Sequence, residues 1–408
     1  MTALPPVAPS GAPRWRLPDS ARSPHPAAVL AGFVVAGLGI GLTQGGASAV
    51  IQDQVRTLDT SVDMIGYTIM AYALGVVIGA PLLMVGLAGW GRRRLLITMS
   101  AAFVVTSALT ALAPDVWSLL VIRFLAGLPH GALLGTAAYV GMLAVGREKR
   151  GSAIATIMYG LTAATVIGVP AMQWGSETFG WRTMYWGVAV VGLAGLALIW
   201  AYAPRVPGTK GTTFTGELST LRGRPLWMSF LIIVAGFAGL GAVQSYMVPL
   251  LEDTNGFSPT AVTVTLALFG IGMTVGATAG GWLTDKGTLL AARVGLFGLA
   301  TSLLLLGLFG DTGWPTVVFL VALGAFVQVF SQASQTRLMD VIHASPSLGA
   351  ALSHSALNAA TVLGSGLGAV LIALGLGYLA PAWLAFLGAV VAIVLVMGSG
   401  FRDVDPAR

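Results

Sequence analysis

Twelve long apolar runs constrain this chain more tightly than any motif in it. They lie near 28–52, 62–87, 94–114, 116–145, 152–175 and 182–203, and, after a polar interval at 204–225, near 226–251, 259–284, 290–310, 313–340, 348–375 and 380–401. At ~1.5 Å per helical residue, about 20 residues cross a hydrocarbon core of ~30 Å, so each run is long enough to span a membrane as a helix. Composition points the same way: 9% of the residues are charged and 56% are hydrophobic, whereas soluble chains average roughly 25% charged residues. That is too little polar material to cover a globule of 408 residues. The expected fold class is an all-α polytopic membrane protein with twelve transmembrane helices. Cysteine is absent, which excludes a disulfide framework and a thiolate metal site.

Basic residues set the expected orientation. With the N-terminus inside, 18 of the 21 Lys and Arg fall on the cytoplasmic side, in the tails and at positions such as Arg92, Arg93, Arg94, Lys149, Arg150, Arg205, Lys286 and Arg337, while Arg56 and Arg182 fall outside. This is the positive-inside bias. Asp53, Asp59, Asp63, Asp115, Glu177, Glu252, Asp253 and Asp311 gather on the opposite face. Residues 1–27 read as a disordered cytoplasmic tail and not a signal peptide. A six-helix half follows over 28–203, then a cytoplasmic linker at 204–225, a second six-helix half over 226–401, and a short cytoplasmic tail at 402–408. The net charge of +6 sits in these loops. It implies contact with a bilayer, and no nucleic-acid partner is expected.

The fourth run carries the densest chemistry. Between Asp115 and Arg147 the residues are almost wholly apolar except Arg123 and His130. Arg123 stands eight residues in, roughly 12 Å along the axis and inside the hydrocarbon. Burying its charge costs at least ~2.5 kcal/mol, so it should face protein or water. His130 follows two turns later on the same face. Gly127, Gly131 and Gly135 form a seam that admits a neighbouring backbone, and Pro129 should bend the helix nearby.

Counting from run ends, Gln44, His130, Gln244 and Gln328 each fall near the middle of the bilayer, with Tyr72 and Asn358 at similar depth. Each glutamine alone is explained by an interhelical hydrogen bond. Taken together with Arg123, the residues suggest one substrate-binding pocket. No acidic residue sits at that depth, so a proton-carrying group would have to be His130, His354 or Asp53 near the outer mouth.

Several stretches resemble the major facilitator superfamily. After the second run comes Gly91-Arg92-Arg93-Arg94-Leu95-Leu96, and after the eighth Gly280-Gly281-Trp282-Leu283-Thr284-Asp285-Lys286. Both are similar to that family's loop signature, which latches neighbouring helices on the cytoplasmic side. Ala88 stands where the first copy would have an acid, so the resemblance leaves an intact charge latch around Asp285, with Arg92 as the basic element of the first copy. Arg123-Phe124-Leu125-Ala126-Gly127-Leu128-Pro129-His130-Gly131, the fifth-helix set Gly160, Gly168, Val169 and Pro170, and the triplets Gly180-Trp181-Arg182 and Gly256-Phe257-Ser258 resemble the twelve-helix drug:proton antiporter branch, especially its sugar-efflux-like and chloramphenicol-resistance-like members. The resemblance implies two pseudo-symmetric six-helix halves around a central cavity, and a gating seam at Gly160, Gly168 and Pro170 that joins the halves. Ordinary close packing explains those glycines equally well. Pro170 should in any case free a carbonyl one turn earlier and bend its helix.

The function expected is secondary transport: a bacterial inner-membrane carrier, both termini cytoplasmic, exports a small neutral or amphipathic organic solute or drug by alternating access, with protons as the counter-substrate. An uncoupled facilitator or channel for a small polar solute is the alternative. An enzyme is not expected, because the four histidines are scattered and paired acids at one depth are missing. No cofactor or metal is implied, and a monomer is expected.

Overall fold

A computed structural model describes residues 25–146, 149–208, 221–342 and 345–398. The expected tails and most of the linker, with Lys210 and Glu217, lie outside the described residues, as do Arg147 and His343. The described chain contains twelve helices long and apolar enough to cross a membrane: α1 Pro26–Ala49, α2 Val62–Gly86, α3 Arg92–Leu112, α4 Val116–Val145, α5 Arg150–Phe179, α6 Trp181–Tyr202, α7 Arg224–Ser245, α8 Pro259–Lys286, α9 Thr288–Phe309, α10 Trp314–Val341, α11 Pro346–Ala373 and α12 Ala380–Gly398. Large apolar side chains such as Leu82, Val121, Leu193 and Val394 are exposed on the outside, as they must be where the surrounding medium is lipid.

Local chemistry explains the helix starts. Asp115 and Ser118 form a reciprocal capping box at the head of α4, Ser61 and Ser258 cap α2 and α8 through backbone N–H groups, and prolines occupy the first turns of α1, α7, α8, α10 and α11, where a missing N–H costs nothing. Gly180 turns the chain from α5 into α6 at φ +82°, a backbone conformation that disfavours a Cβ.

Two of the apolar runs are less continuous than their sequence suggests. The first breaks at Val50, and a separate short helix, Ile51–Thr57, follows. The seventh ends at Ser245, before a short turn and a π-helical turn at Leu250–Thr254. In α5 a second π-helical turn, Ala164–Gly168, stands immediately before Pro170. Proline cannot donate to the carbonyl four residues back, and a widened turn is one way a helix absorbs that loss.

The packing repeats with an offset of six helices. In the first half α2 packs on α4, α1 on α5 and α6, and α3 on α4 and α6. In the second half α8 packs on α10, α7 on α11 and α12, and α9 on α10 and α12. The halves meet where α5 lies on α8 and where α2 and α4 lie on α11.

Glycine sets how closely these helices cross. A Cβ on Gly75 would lie 2.1 Å from Phe124 O, and one on Gly127 2.1 Å from Tyr72 O, so α2 and α4 touch backbone to backbone. Further along the same seam the partner changes: a Cβ on Gly135 would lie 2.4 Å from Ala351 N of α11. The fifth-helix glycines differ from what the resemblance implies. A Cβ on Gly160 would meet Val34 O at 2.1 Å, and one on Gly168 would meet Leu42 at 2.2 Å. Their small face therefore packs against α1 within its own half, and α5 meets the other half through Gly151, Tyr159 and Val166 instead.

Candidate functional site

The α2–α4 crossing places three polar side chains in one buried stack. Arg123 is 1% exposed; its Nη1 donates to Thr43 O of α1 at 3.0 Å, and its guanidinium lies 4.5 Å from the centre of the Tyr72 ring. A cation over a ring face is attracted by the quadrupole, more strongly where water is excluded. Nε and Nη2 of Arg123 have no hydrogen-bond partner among the described residues. Tyr72 turns its hydroxyl the other way, 2.9 Å from His130 Nδ1.

The stack then crosses between the halves. The His130 ring centroid lies 5.5 Å from that of His354 on α11, and Gln335 of α10 reaches His354 Nε2 at 3.1 Å. Asn358 Nδ2 donates to His354 O at 2.9 Å, and Gln44 Nε2 donates to Asn358 Oδ1 at 3.3 Å. One continuous polar chain thus runs from Arg123 through Tyr72, His130 and His354 to Gln335. Gln44 and Asn358 bridge the halves beside it.

The remaining candidates occupy different places. Gln328 is buried two turns from Gln335 on the same face of α10. Gln244 is exposed and lies two turns beyond Phe237, which stacks on Phe330 of α10. Asp53 stands apart from the cluster, accepting from Trp181 N at 2.7 Å and Arg56 Nη2 at 2.8 Å. Gln335, Gln332 and Ser355 were not singled out from sequence, although Gln335 lies seven residues after Gln328 and a helical face would have found it. Gln332 Nε2 donates to Ala277 O, and Ser355 Oγ to the carbonyls of Val76 and Val77.

At the basic end of the bundle, side chains link the two halves. Asp285 at the end of α8 accepts from Gly151 N at 2.7 Å, from Ser152 N at 3.2 Å, and from Ser152 Oγ. These are the first N–H groups of α5, so the carboxylate sits on the positive end of that helix dipole. Arg150 pairs with Asp340 and donates to Thr288 Oγ1 at 3.0 Å. Arg92 is buried at the head of α3, its N–H donating to Val206 O at 2.8 Å. Toward the acidic end, the last part of α5, Val169–Phe179, packs on α1 and α6. The described hydrogen bonds between the halves run from the level of Gln44 and Asn358 to the basic end.

Comparison with known proteins matches this architecture. Residues 29–353 fit the model of the Major Facilitator Superfamily. The chain is 30% identical over 363 residues to the inner membrane transport protein YdhP of Escherichia coli K12, covering 89% of this chain and 92% of that one. It is 28% identical over 387 residues to a chloramphenicol resistance protein of Streptomyces lividans, covering 91% and 95%. The fold superposes on the proton:xylose symporter XylE with a TM-score of 0.70 at 16% identity, over 93% of this chain and 96% of that chain. With twelve helices in two repeated halves and a family match across most of its length, the chain belongs to the Major Facilitator Superfamily and is a multi-pass membrane transporter.

Proposed function

We propose that this transporter exports a small neutral or weakly amphipathic organic solute from the cytoplasm in exchange for protons, by rocking its halves about the space between Gln44, Gln244, Gln328 and the buried polar chain. The observation that carries the reading is the imidazole pair, one ring from each half, at the point where the halves separate in alternating access. When His130 carries its proton on Nε2, the Tyr72 hydroxyl donates to Nδ1, and the Gln335 amide donates to an unprotonated His354 Nε2. A proton arriving on either ring reverses the bond it finds there: Tyr72 must become an acceptor, or Gln335 must turn its carbonyl inward. Protonation is thereby tied to how the halves are joined. Amides and a phenol around the space suit a neutral polar solute, and relatives with efflux and resistance names support export.

The test uses reconstituted protein and an imposed pH gradient. His130→Gln should keep counterflow of labelled solute and lose accumulation against its gradient. Accumulation that survives in an active variant removes the proton role from this residue. A second reading, an uncoupled facilitator, is favoured by Gln44, which is bonded to Asn358 at mid-depth where a proton-binding acid is lacking; under that reading the wild type also fails to accumulate.

The proposed orientation is cytoplasmic at the basic end and at both termini, in a bacterial inner membrane, with a single chain sufficient for the pathway. Its support is the concentration of Lys and Arg at one end. Because the chain has no cysteine, Gly89→Cys and Thr254→Cys report without background. An impermeant maleimide applied to intact cells should label position 254 and spare position 89; the reverse pattern inverts the topology.

A further inference from the structure

A cavity of about 510 Å³ lies outside the transport pathway, at the basic end of α3 against the segment that follows α6. Arg93, Arg94 and Arg205 line it, together with Ile97, Thr98 and Val206. Its walls are fixed. Arg92 N donates to Val206 O at 2.8 Å, and a Cβ on Gly208 would lie 2.5 Å from the carbonyls of Gly89 and Trp90, so the segment after α6 is held on the α2–α3 turn.

Among the described residues the three guanidiniums have no carboxylate partner. Arg93 donates to Trp200 O, Arg94 lies 4.0 Å over the Trp90 ring, and no acidic residue is among the lining. No side chain caps the N-terminus of α3; Arg92 N is taken by Val206 O, and the N–H groups that follow it point toward the same end of the helix. The pseudo-symmetric position at the head of α9 reads Thr288-Leu289-Leu290 and carries none of this charge, so the feature is specific to one half.

We propose that this cavity binds the phosphate group of an anionic phospholipid, held between Arg93, Arg94 and Arg205, with Ile97 and Val206 against the first carbons of its chains. The level of the site selects a lipid over a soluble phosphate. Trp200 is 64% exposed and Tyr202 40% beside it, and exposed aromatic residues at helix ends mark the headgroup layer. Basic cavities between helices at that layer suit anionic headgroups.

The purified full chain would be titrated with phosphatidylglycerol, phosphatidylcholine or sodium phosphate, reading thermal stability and retained lipid by native mass spectrometry. Phosphatidylglycerol should raise the melting temperature and stay bound as one molecule, with phosphatidylcholine at least tenfold weaker. Arg94→Gln/Arg205→Gln, two exposed positions, should melt like the wild type without lipid and lose about tenfold in phosphatidylglycerol preference; Arg205→Gln alone should lose part of it. Equal retention of both lipids, or an unchanged preference in the double variant, overturns the site. Displacement of the lipid by millimolar sodium phosphate overturns the lipid assignment in favour of a soluble phosphate.

Discussion

The two seams between the halves occupy equivalent places in the repeat and are built differently. Where α8 meets α5, Asp285 takes the first N–H groups of α5 and Arg150 pairs with Asp340. Where α2 and α4 meet α11, Ala88 stands in the acid's place, and the contact is made by Gly131, Gly135 and Ala351, by the Ser355 hydroxyl on two α2 carbonyls, and by the His130–His354 ring pair. The Ser345 and Ser347 hydroxyls at the head of α11 are buried without partners among the described residues. One seam is charged and exchanges its partners for water when it opens. The other is a smooth backbone contact whose strength depends on fit. If the halves rock as proposed, transport should respond to charge at the first seam and to volume at the second.

The largest effect is expected from volume. Gly135→Val places side-chain atoms where even a Cβ would stand 2.4 Å from Ala351 N, and backbone on both sides cannot yield without parting α4 from α11. Overpacking of this kind costs ~1–3 kcal/mol, so transport should fall about 5- to 150-fold. Gly86→Val, where nothing lies within 4 Å of the added Cβ, should transport normally, and equal loss in both would show that the seam is not special.

Charge comes next. Asp285→Asn keeps the shape and loses the charge–dipole and charge-assisted terms, about 1–2 kcal/mol together, so uptake into inverted vesicles should fall roughly 5- to 30-fold with expression near normal. The smallest effect is a rescue: Ala88→Asp added to Asp285→Asn should recover about two- to fivefold by supplying an acid to the other seam. No recovery would mean that the two loops are not functionally equivalent despite their symmetry.

How much of this was legible depended on whether a feature is set by one helix or by two. The twelve spans were readable because lipid demands length and apolarity from each helix separately. Gln44, Tyr72, Arg123 and His130 could be placed by depth and face for the same reason. Partners could not be read. Spacing gave the seam at Gly127, Gly131 and Gly135, yet its first member meets α2 and its last meets α11. Gly160 and Gly168 gave a small face, and only the packing shows that α1 fills it. His354 stood out as a lone titratable residue, while its neighbours His130 and Gln335 lie 224 and 19 positions away in sequence and converge only when α4, α10 and α11 pack. The break at Val50 left no mark in an apolar run that continues through Ile51.

The central claim is that the charged seam holds the basic end closed. Spin labels on Gly89→Cys in the first half and Leu290→Cys in the second, both exposed at that end, would report the distance between the halves by pulsed electron resonance. The account predicts a dominant short distance in the otherwise wild-type chain and a shift of population to a longer one in Asp285→Asn. An unchanged distribution in that variant would contradict it.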